Sequence, residues 1–475
     1  MERPGITLSR GLMMSNINGI LNIAKGALST QQRAIDVTGH NIANVNTPGY
    51  SRQRATLVAN EPASSSYGQM GTGVKVQEIQ RIYDRFLGNQ INAESSNLGR
   101  WEAQKGGLEK AEMILTESSG YGLSQAMSAF WNAWQDLVNN PSGHTERLVL
   151  SAKGQTLANT FNSALFDLKR AQADMDLNIV GTVREINRVT DEIADLNRQI
   201  AQIEGSGQNA NDLRDKRDLL LNELSYMVDV TSSEGGDGSI AVSLSSGRPL
   251  VQNDRSWGLS TESNSSGLQN ILWQDGSGDS VDITHTVSGG ELKGWIEVRD
   301  LLIPGYLTSL DELAKEIMEG VNSLHVTGFG LDGSTGTEFF TGLSASDMAV
   351  NPNIVSDVNT IAAAGSASGA PGDNSMAIAI ANLQHEWTMA GHTTTFDDFY
   401  DSMISQLGTH VQEAMTHFDH EAETVNRLNT YRESVSGVSL DEEMLNLIKF
   451  QHAYEAAARL ITTADELMET ILTMV

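Results

Sequence analysis

Four residues within "HVQEAMTHFDH", His410, Glu413, His417 and His420, have types and spacings that could hold a metal ion. Steps of three and four bring such residues to one side of a helix, and imidazole nitrogens with a carboxylate oxygen suit zinc. A metal held there would activate water, which makes a metal-dependent hydrolase the alternative from another functional class. The stretch lacks the H-E-x-x-H arrangement and runs on as an acidic amphipathic helix. It therefore reads as a solvated or interface face, and no metal or cofactor is assigned. "GFGLDG", Gly328 to Gly333, fits G-x-G-x-x-G, but a nucleotide site needs that pattern between a strand and a helix. Here it follows a helical pattern, precedes more loop and lacks a Walker-type lysine, so it reads as turns. With no cysteine and no G-x-S-x-G elbow, nothing supports catalysis, and the chain reads as a non-enzyme.

The elements that would position any site follow from the wider pattern. The 475 residues suffice for several domains, and a formal charge of -29 argues against nucleic acid and anionic lipid as partners. No stretch approaches the roughly 18 apolar residues of a membrane helix, and the start lacks the apolar core of a secretory signal. Export, if it occurs, takes another route. Residues 1–13 read as a non-native extension, with Met13 or Met14 as the natural start.

The fold class expected is mainly α with a smaller β portion. Ile17, Leu21, Ala24, Leu28, Gln31, Ile35, Thr38 and Ile42 alternate steps of four and three, the spacing of a coiled-coil seam. The same rhythm runs through Leu440, Met444, Leu447, Gln451, Tyr454, Ala458, Ile461, Asp465, Met468, Leu472 and Val475. Lys25, Arg33, Arg52 and Arg54 against Asp36 leave the first segment at plus three. From Val425 onward, Arg427, Arg432, Lys449 and Arg459 against Glu433, Asp441, Glu442, Glu443, Glu455, Asp465, Glu466 and Glu469 give minus four. The two terminal helices are thus complementary and are expected to pair. Ser439 with Glu442 forms a capping box at the start of the last one.

Between them, residues 84–228 read as long antiparallel helices, clearest at Ile179, Val183, Ile186, Val189, Ile193, Leu196, Ile200 and Ile203. Residues 228–299 read as a β-rich portion, "LTSLDELAKEIMEGVNSL" as helix, residues 327–375 as an extended connection, and the segment from Phe396 as helix again. The domains expected are 14–57 with 425–475, discontinuous, and a middle domain 58–424. "NIANVNTPGYSR", residues 41–52, ends the first helix abruptly: Asn41 and Asn44 favour local non-helical bonds, and Pro48 excludes Thr47 from the helical region. Pro48-Gly49 presets a type II turn, with a positive φ at Gly49.

That segment and "SGVSLDEEMLNLIKFQHAYEAAARLI" together resemble the axial proteins of the bacterial flagellum. "NDLRDKRDLLLNELS", "LDELAKEIMEGVNSLHVTGF" and "APGDNSMAIAIANLQ" narrow the resemblance to the hook-associated protein 1 family of hook-filament junction proteins. It extends over nearly the whole chain from Met14. Ser439 departs from the asparagine common in the family, and the short link from Phe340 to Asp373 leaves no room for the large outer β domain of some members. The resemblance implies a structural protein of the flagellum, secreted by type III export and assembled at the hook tip. It also implies self-association, contacts with hook protein and a second junction protein, and an export chaperone on the helix from Leu440 to Val475. The residues expected to carry assembly are Ile17, Leu21, Leu28, Ile35, Ile42, Asn44, Pro48, Gly49, Tyr50, Leu440, Met444, Leu447, Tyr454, Ile461, Met468 and Leu472. A rod or hook protein is the alternative within the same class, sharing the corner but not the long helical middle.

Overall fold

The computed structural model describes residues 5–65, 68–116, 122–276 and 278–473, with side chains from Ile17 onward. The expectation about a start at Met13 or Met14 and the last seam position, Val475, lie outside those side chains. Among the described residues no helix is long and apolar enough to cross a membrane.

The chain opens with α1 (Gly5–Ala43) and a hairpin of β1 (Gln53–Ala59) with β4 (Val74–Arg81), capped by the short pair β2 (Ala63–Ser65) and β3 (Gly68–Met70). Four helices follow: α2 (Arg85–Leu115), α3 (Leu123–Asn139), α4 (His144–Glu204) and α5 (Asn211–Met227). Asp84 caps α2 by accepting from the amides of Phe86 and Leu87. At 61 residues, α4 is about 90 Å long and serves two cores. Its first half, Leu150 to Met175, meets Phe130, Trp131 and Trp134 of α3, together with Phe339 and Phe340. Its second half carries Ile179, Val183, Ile186, Val189, Ile193 and Ile200, all buried. The strands pack on this half, since their inward side chains supply the other face of that core.

Those strands form two antiparallel sheets. β5 (Val230–Glu234), β6 (Ile240–Leu244), β7 (Pro249–Gln252) and β8 (Arg255–Ser256) pair in sequence order; β9 (Leu259–Ser263), β10 (Gln269–Gln274) and β11 (Ser280–Asp282) form the second. The β-rich portion ends sooner than expected. Gly290–Glu297 is a helix, α6, running through a π turn, Val298–Leu302, into α7 (Ile303–His325). Its helical signal is only the four-residue step from Leu292 to Ile296, both buried, and that is too short to outweigh the preceding alternation.

Residues 327–375 are likewise no extended connection. Phe339, Phe340, Ala345, Met348, Ile354 and Ile361 are buried among them, held by β12 (Phe340–Thr341), β13 (Ala349–Val350), α8 (Pro352–Ser356) and a run of turns. Apolar residues at irregular intervals leave no period to detect, yet each anchors a turn on the core. The "GFGLDG" loop lies here, tied by the Leu331 amide to Asn359 O at 2.7 Å, with Gly333 at φ 82. α9 (Ser375–Asn382) then leads to α10 (Phe396–Ser436) and α11 (Leu440–Thr473). Both proposed boundaries cut through elements: residue 57 falls inside β1, and α10 runs through 425 without a break.

α11 packs along α1 as expected, and the β1–β4 hairpin covers a second side of α1. The α11 acids Glu442 and Glu443 take their ion pairs from Arg52, just beyond α1. Thr30 Oγ1 donates to Val74 O at 3.2 Å there. On α1, Ile17, Ala24 and Thr38 of the expected seam are buried, while Leu21, Leu28, Ile35 and Ile42 are half-buried.

On α11 the register needs correction. Leu447, Tyr454, Ile461 and Met468 are half-buried as expected, but Glu443, Ala457 and Ala464 are the buried residues between them. Leu440, Met444 and Leu472 are exposed, at 48%, 52% and 68%. Met444 stands one place from buried Glu443 and Leu472 one place from half-buried Ile471, and a pattern weighted toward large apolar side chains passes over a seam position held by an acid or an alanine.

Candidate functional site

The chain turns sharply where α1, β1, α5 and the α10–α11 joint converge. The Asn44 amide and side chain both donate to His40 O, at 3.1 and 3.0 Å, closing the last turn of α1. Thr47 Oγ1 donates to Asn44 Oδ1 at 3.1 Å. The Tyr50 amide donates to Thr47 O at 3.2 Å across Pro48 and Gly49, and Gly49 sits at φ 76, the type II geometry expected. A Cβ on Gly49 would stand 3.3 Å from Leu219 Cβ of α5, so the turn is seated on the middle helices.

Asn41, 1% exposed, spends its whole side chain on this corner. Its Nδ2 donates to Gln53 O at 2.9 Å and to Glu443 Oε2 at 3.0 Å. Its Oδ1 accepts from the Gln53 amide at 2.9 Å and from Tyr50 Oη at 2.8 Å. Two donors and two acceptors is the full capacity of an amide side chain. Glu443, 2% exposed, also takes Arg52 Nε at 2.7 Å, while Arg52 Nη1 donates to Glu442 Oε2 at 2.6 Å. The Arg52 amide donates to Ser436 O at 2.8 Å, joining the corner to the last turn of α10.

A second node ties the same strand to α5. The Ser51 amide donates to Asp215 Oδ2 and Arg81 Nη1 to Asp215 Oδ1, both at 2.8 Å. Arg81 also pairs with Asp218 at 2.7 Å and lies over the Tyr83 ring. Gln53 Nε2 donates to Asp212 Oδ1 at 2.6 Å.

Burial and crowding by acids shape the titration here. Desolvation lifts the Asp215 carboxyl above its usual range against the bonds from Ser51 and Arg81. Burial, then the charges of Asp212, Asp215 and Glu443, hold the Tyr50 phenol well above its ordinary value. Burial pushes Tyr83 up to about 12. Desolvation acts to lower Arg52, but Glu442 and Glu443 outweigh it and its guanidinium is held more firmly charged. Near neutrality the two phenols stay protonated and Arg52 stays charged, and all of these groups are engaged with one another, so the arrangement joins α1, β1, α5 and α11.

The residues read as possible metal ligands are held apart. His410 Nδ1 lies 2.8 Å from Tyr306 Oη, His417 stacks on Trp101 with centroids 4.2 Å apart, and Glu413 and His420 face solvent. Among the described residues no group of three or more His, Asp or Glu could hold a metal ion.

Of the residues expected to carry assembly, the structure gathers Ile42, Asn44, Pro48, Gly49 and Tyr50 at the corner and strings the others along α1 and α11. Sequence reasoning missed Asn41 as the hub, and with it Glu443, Arg52, Arg81, Asp212 and Asp215. The available signal was polarity out of place, as in Glu443 within a heptad helix.

Flagellar hook-associated protein 1 of Bacillus subtilis is 34% identical over 493 aligned positions, covering 95% of this chain and 97% of that protein. The chain belongs to the flagellar hook-associated protein 1 family. Flagellar hook-associated protein 1 of Escherichia coli is 25% identical, covering 96% of this chain and all of that protein. The model of the flagellar hook-associated protein FlgK helical domain matches residues 108–340, the helical middle that a rod or hook protein is expected to lack. The models of the flagella basal body rod protein and of the flagellar basal body rod FlgEFG protein C-terminal region match residues 21–50 and 432–474. Asn41 falls in the first of these and Glu443 in the second. The solved flagellar hook junction protein FlgK from Burkholderia pseudomallei shares the fold, with a TM-score of 0.66 at 15% identity, over 73% of this chain and 100% of that one. Membership makes this a structural protein of the flagellum.

Proposed function

We propose that the chain is the subunit that joins hook to filament, exported by the flagellar type III system and assembled at the hook tip. Its terminal helices, 14–57 with 425–475, would line the axial core, and residues 58–424 would form the outer body. The observation that carries this reading is the corner itself: Asn41, Arg52 and Glu443 tie both terminal helices to one point, and Asp215 ties that point to the middle helices. A junction needs such a joint, because load between hook and filament must pass from core to body without loosening either. The partners proposed are further copies of the chain, hook protein, a second junction protein, and an export chaperone on α11. The half-buried residues Leu447, Tyr454, Ile461 and Met468 would serve chaperone and axial core in turn.

Labelled antibody on isolated flagella tests this. Label confined to the hook-filament boundary is the expected result; label along the rod, hook shaft or filament would overturn it.

A further inference from the structure

The outward face of α4 is out of character for the chain. Leu148, Phe166 and Leu177 are 50%, 65% and 66% exposed. Separations of 18 and 11 residues place them on one line of a helix that turns about 100° per residue. Lys169, Arg170 and Arg184 lie on or beside that line, all exposed and, among the described residues, without an ion pair. Of the carboxylates in this stretch, Asp174 is paired with Lys110 and Asp176 with Arg299, while Asp167 lies off to the side. The result is an apolar and cationic strip on a protein with 60 acidic residues against 31 basic ones.

α10 carries the counterpart. Between Phe396 and Asn426 it contains neither lysine nor arginine. Asp398, Asp401, Asp419 and Glu423 share an exposed arc about 60° wide, with Met415, 43% exposed, at its edge; of these, Glu423 also reaches Arg427 at 3.9 Å. The two strips belong to different sides of the body, because α2 separates their helices. α2 offers Trp101 and Lys105 to His417 and Phe418 of α10, and Gly107 and Lys110 to Met175 and Asp174 of α4. Those two sets stand on nearly opposite sides of α2, with their centres roughly 170° apart.

A surface on one side that complements a different surface on another side makes head-to-tail contacts, which build a ring where the rotation closes and a helical array where it does not. We propose that the α4 strip of one copy packs against the α10 strip of the next, forming the lateral contact between neighbouring middle domains. This rests on the reading of the chain as a self-associating junction subunit. The exposed aromatic and leucine side chains supply apolar contact, and the facing charges fix which side meets which. Along α2, Ala173 and Gln412 stand at similar heights, so neighbours at one level would bring those positions together.

The chain has no cysteine, which makes a cross-linking test direct. Ala173→Cys on α4 and Gln412→Cys on α10 would be made singly and together, with Ser405→Cys replacing Gln412→Cys to allow for stagger. A flexible bismaleimide is applied to isolated hook-filament complexes, with antibody labelling in parallel. The double variants should give a ladder of multiples of the chain mass and the single variants none. A second arm reverses Lys169, Arg170 and Arg184 to glutamate. Attached filaments should fall at least tenfold, and lysine at Asp398, Asp401 and Asp419 in the same chain should restore them. No ladder, or full attachment after reversal, with label still at the hook tip, overturns this contact and leaves the junction reading standing. Parent protein missing from the hook tip overturns both.

Discussion

Asn41 and Glu443 stand 402 positions apart in sequence, and their side chains meet at 3.0 Å in the interior. One ends the first helix and the other opens the last, so a single buried amide closes the chain on itself. Glu443 is a charge in a place where an apolar residue would pack, and it is acceptable only because Arg52 and Asn41 both bind it. Such a joint favours one register of the two helices over every other, since a slip by one turn leaves a carboxylate buried without a partner.

Asn41→Leu keeps the volume and removes every bond. Each buried partner left unpaired costs about 1–3 kcal/mol, so the contact between α1 and α11 should open well before the middle domain unfolds. Hydrogen exchange across residues 20–55 should accelerate more than tenfold in the variant while α4 stays protected. Equal protection of the corner in both proteins would show that the node is dispensable.

Gly49→Val tests the turn. Its positive φ strains a β-branched residue by on the order of 1–3 kcal/mol, and Leu219 leaves little room for a new side chain. The middle domain should melt as before while motility falls and hooks appear without stable filaments. Gly49→Ala should lie between the two. Cells carrying the valine variant that swim as well as the parent would refute the role given to this turn.

Much of the fold was legible because its signals were redundant. α4 repeats a branched aliphatic residue at nearly every third or fourth position from Ile179 to Ile200, and no other element satisfies that spacing. The corner was legible because Pro48 and Gly49 restrict the backbone themselves. What stayed hidden depends on partners far along the chain. That Ser51 would give its amide to Asp215, 164 residues later, has no local trace. The seam of α11 was half misread because Glu443, Ala457 and Ala464 do not look like core residues. Their burial follows from close approach to α1 and from Arg52, both features of the folded chain alone.

His325 should make the middle domain sensitive to acid. It is 1% exposed, and its ordinary pKa of 6.5 is lowered by burial, with Arg147 nearby, to about 4. The Ala362 amide donates to Nε2 at 2.9 Å, so Nδ1 carries the proton and donates to Thr337 O at 2.6 Å, which fixes the neutral form. The unfolded chain takes up a proton near 6.5 and the folded chain only near 4. The neutral histidine's contribution is therefore complete above about 6.5 and is lost progressively down to about 4, amounting to about 3 kcal/mol. Denaturant midpoints at pH 7.5, 6 and 5 should fall faster in the parent than in His325→Gln. Parallel curves would remove His325 from the account.

The two faces of α11 should separate by mutation. Leu447 and Ile461 are half-buried on the helix that packs along α1, whereas Met444 and Leu467 are 52% and 47% exposed. Aspartate at Leu447 and Ile461 places charge within the intramolecular seam, where an unpaired carboxylate is strongly disfavoured. That variant should lose helix at both ends in the free protein, read as a fall in far-ultraviolet ellipticity, and should fail in assembly. Aspartate at Met444 and Leu467 meets only solvent in the free protein, so its ellipticity and melting should match the parent. If the outer face is covered when copies pack around the axis, this second variant should still fail to hold filaments. Chaperone capture separates the roles further: loss with the first pair alone assigns the chaperone to the inner face, which α11 can offer only before it pairs with α1. Normal filaments with the second pair would mean that Met444 and Leu467 stay in solvent after assembly.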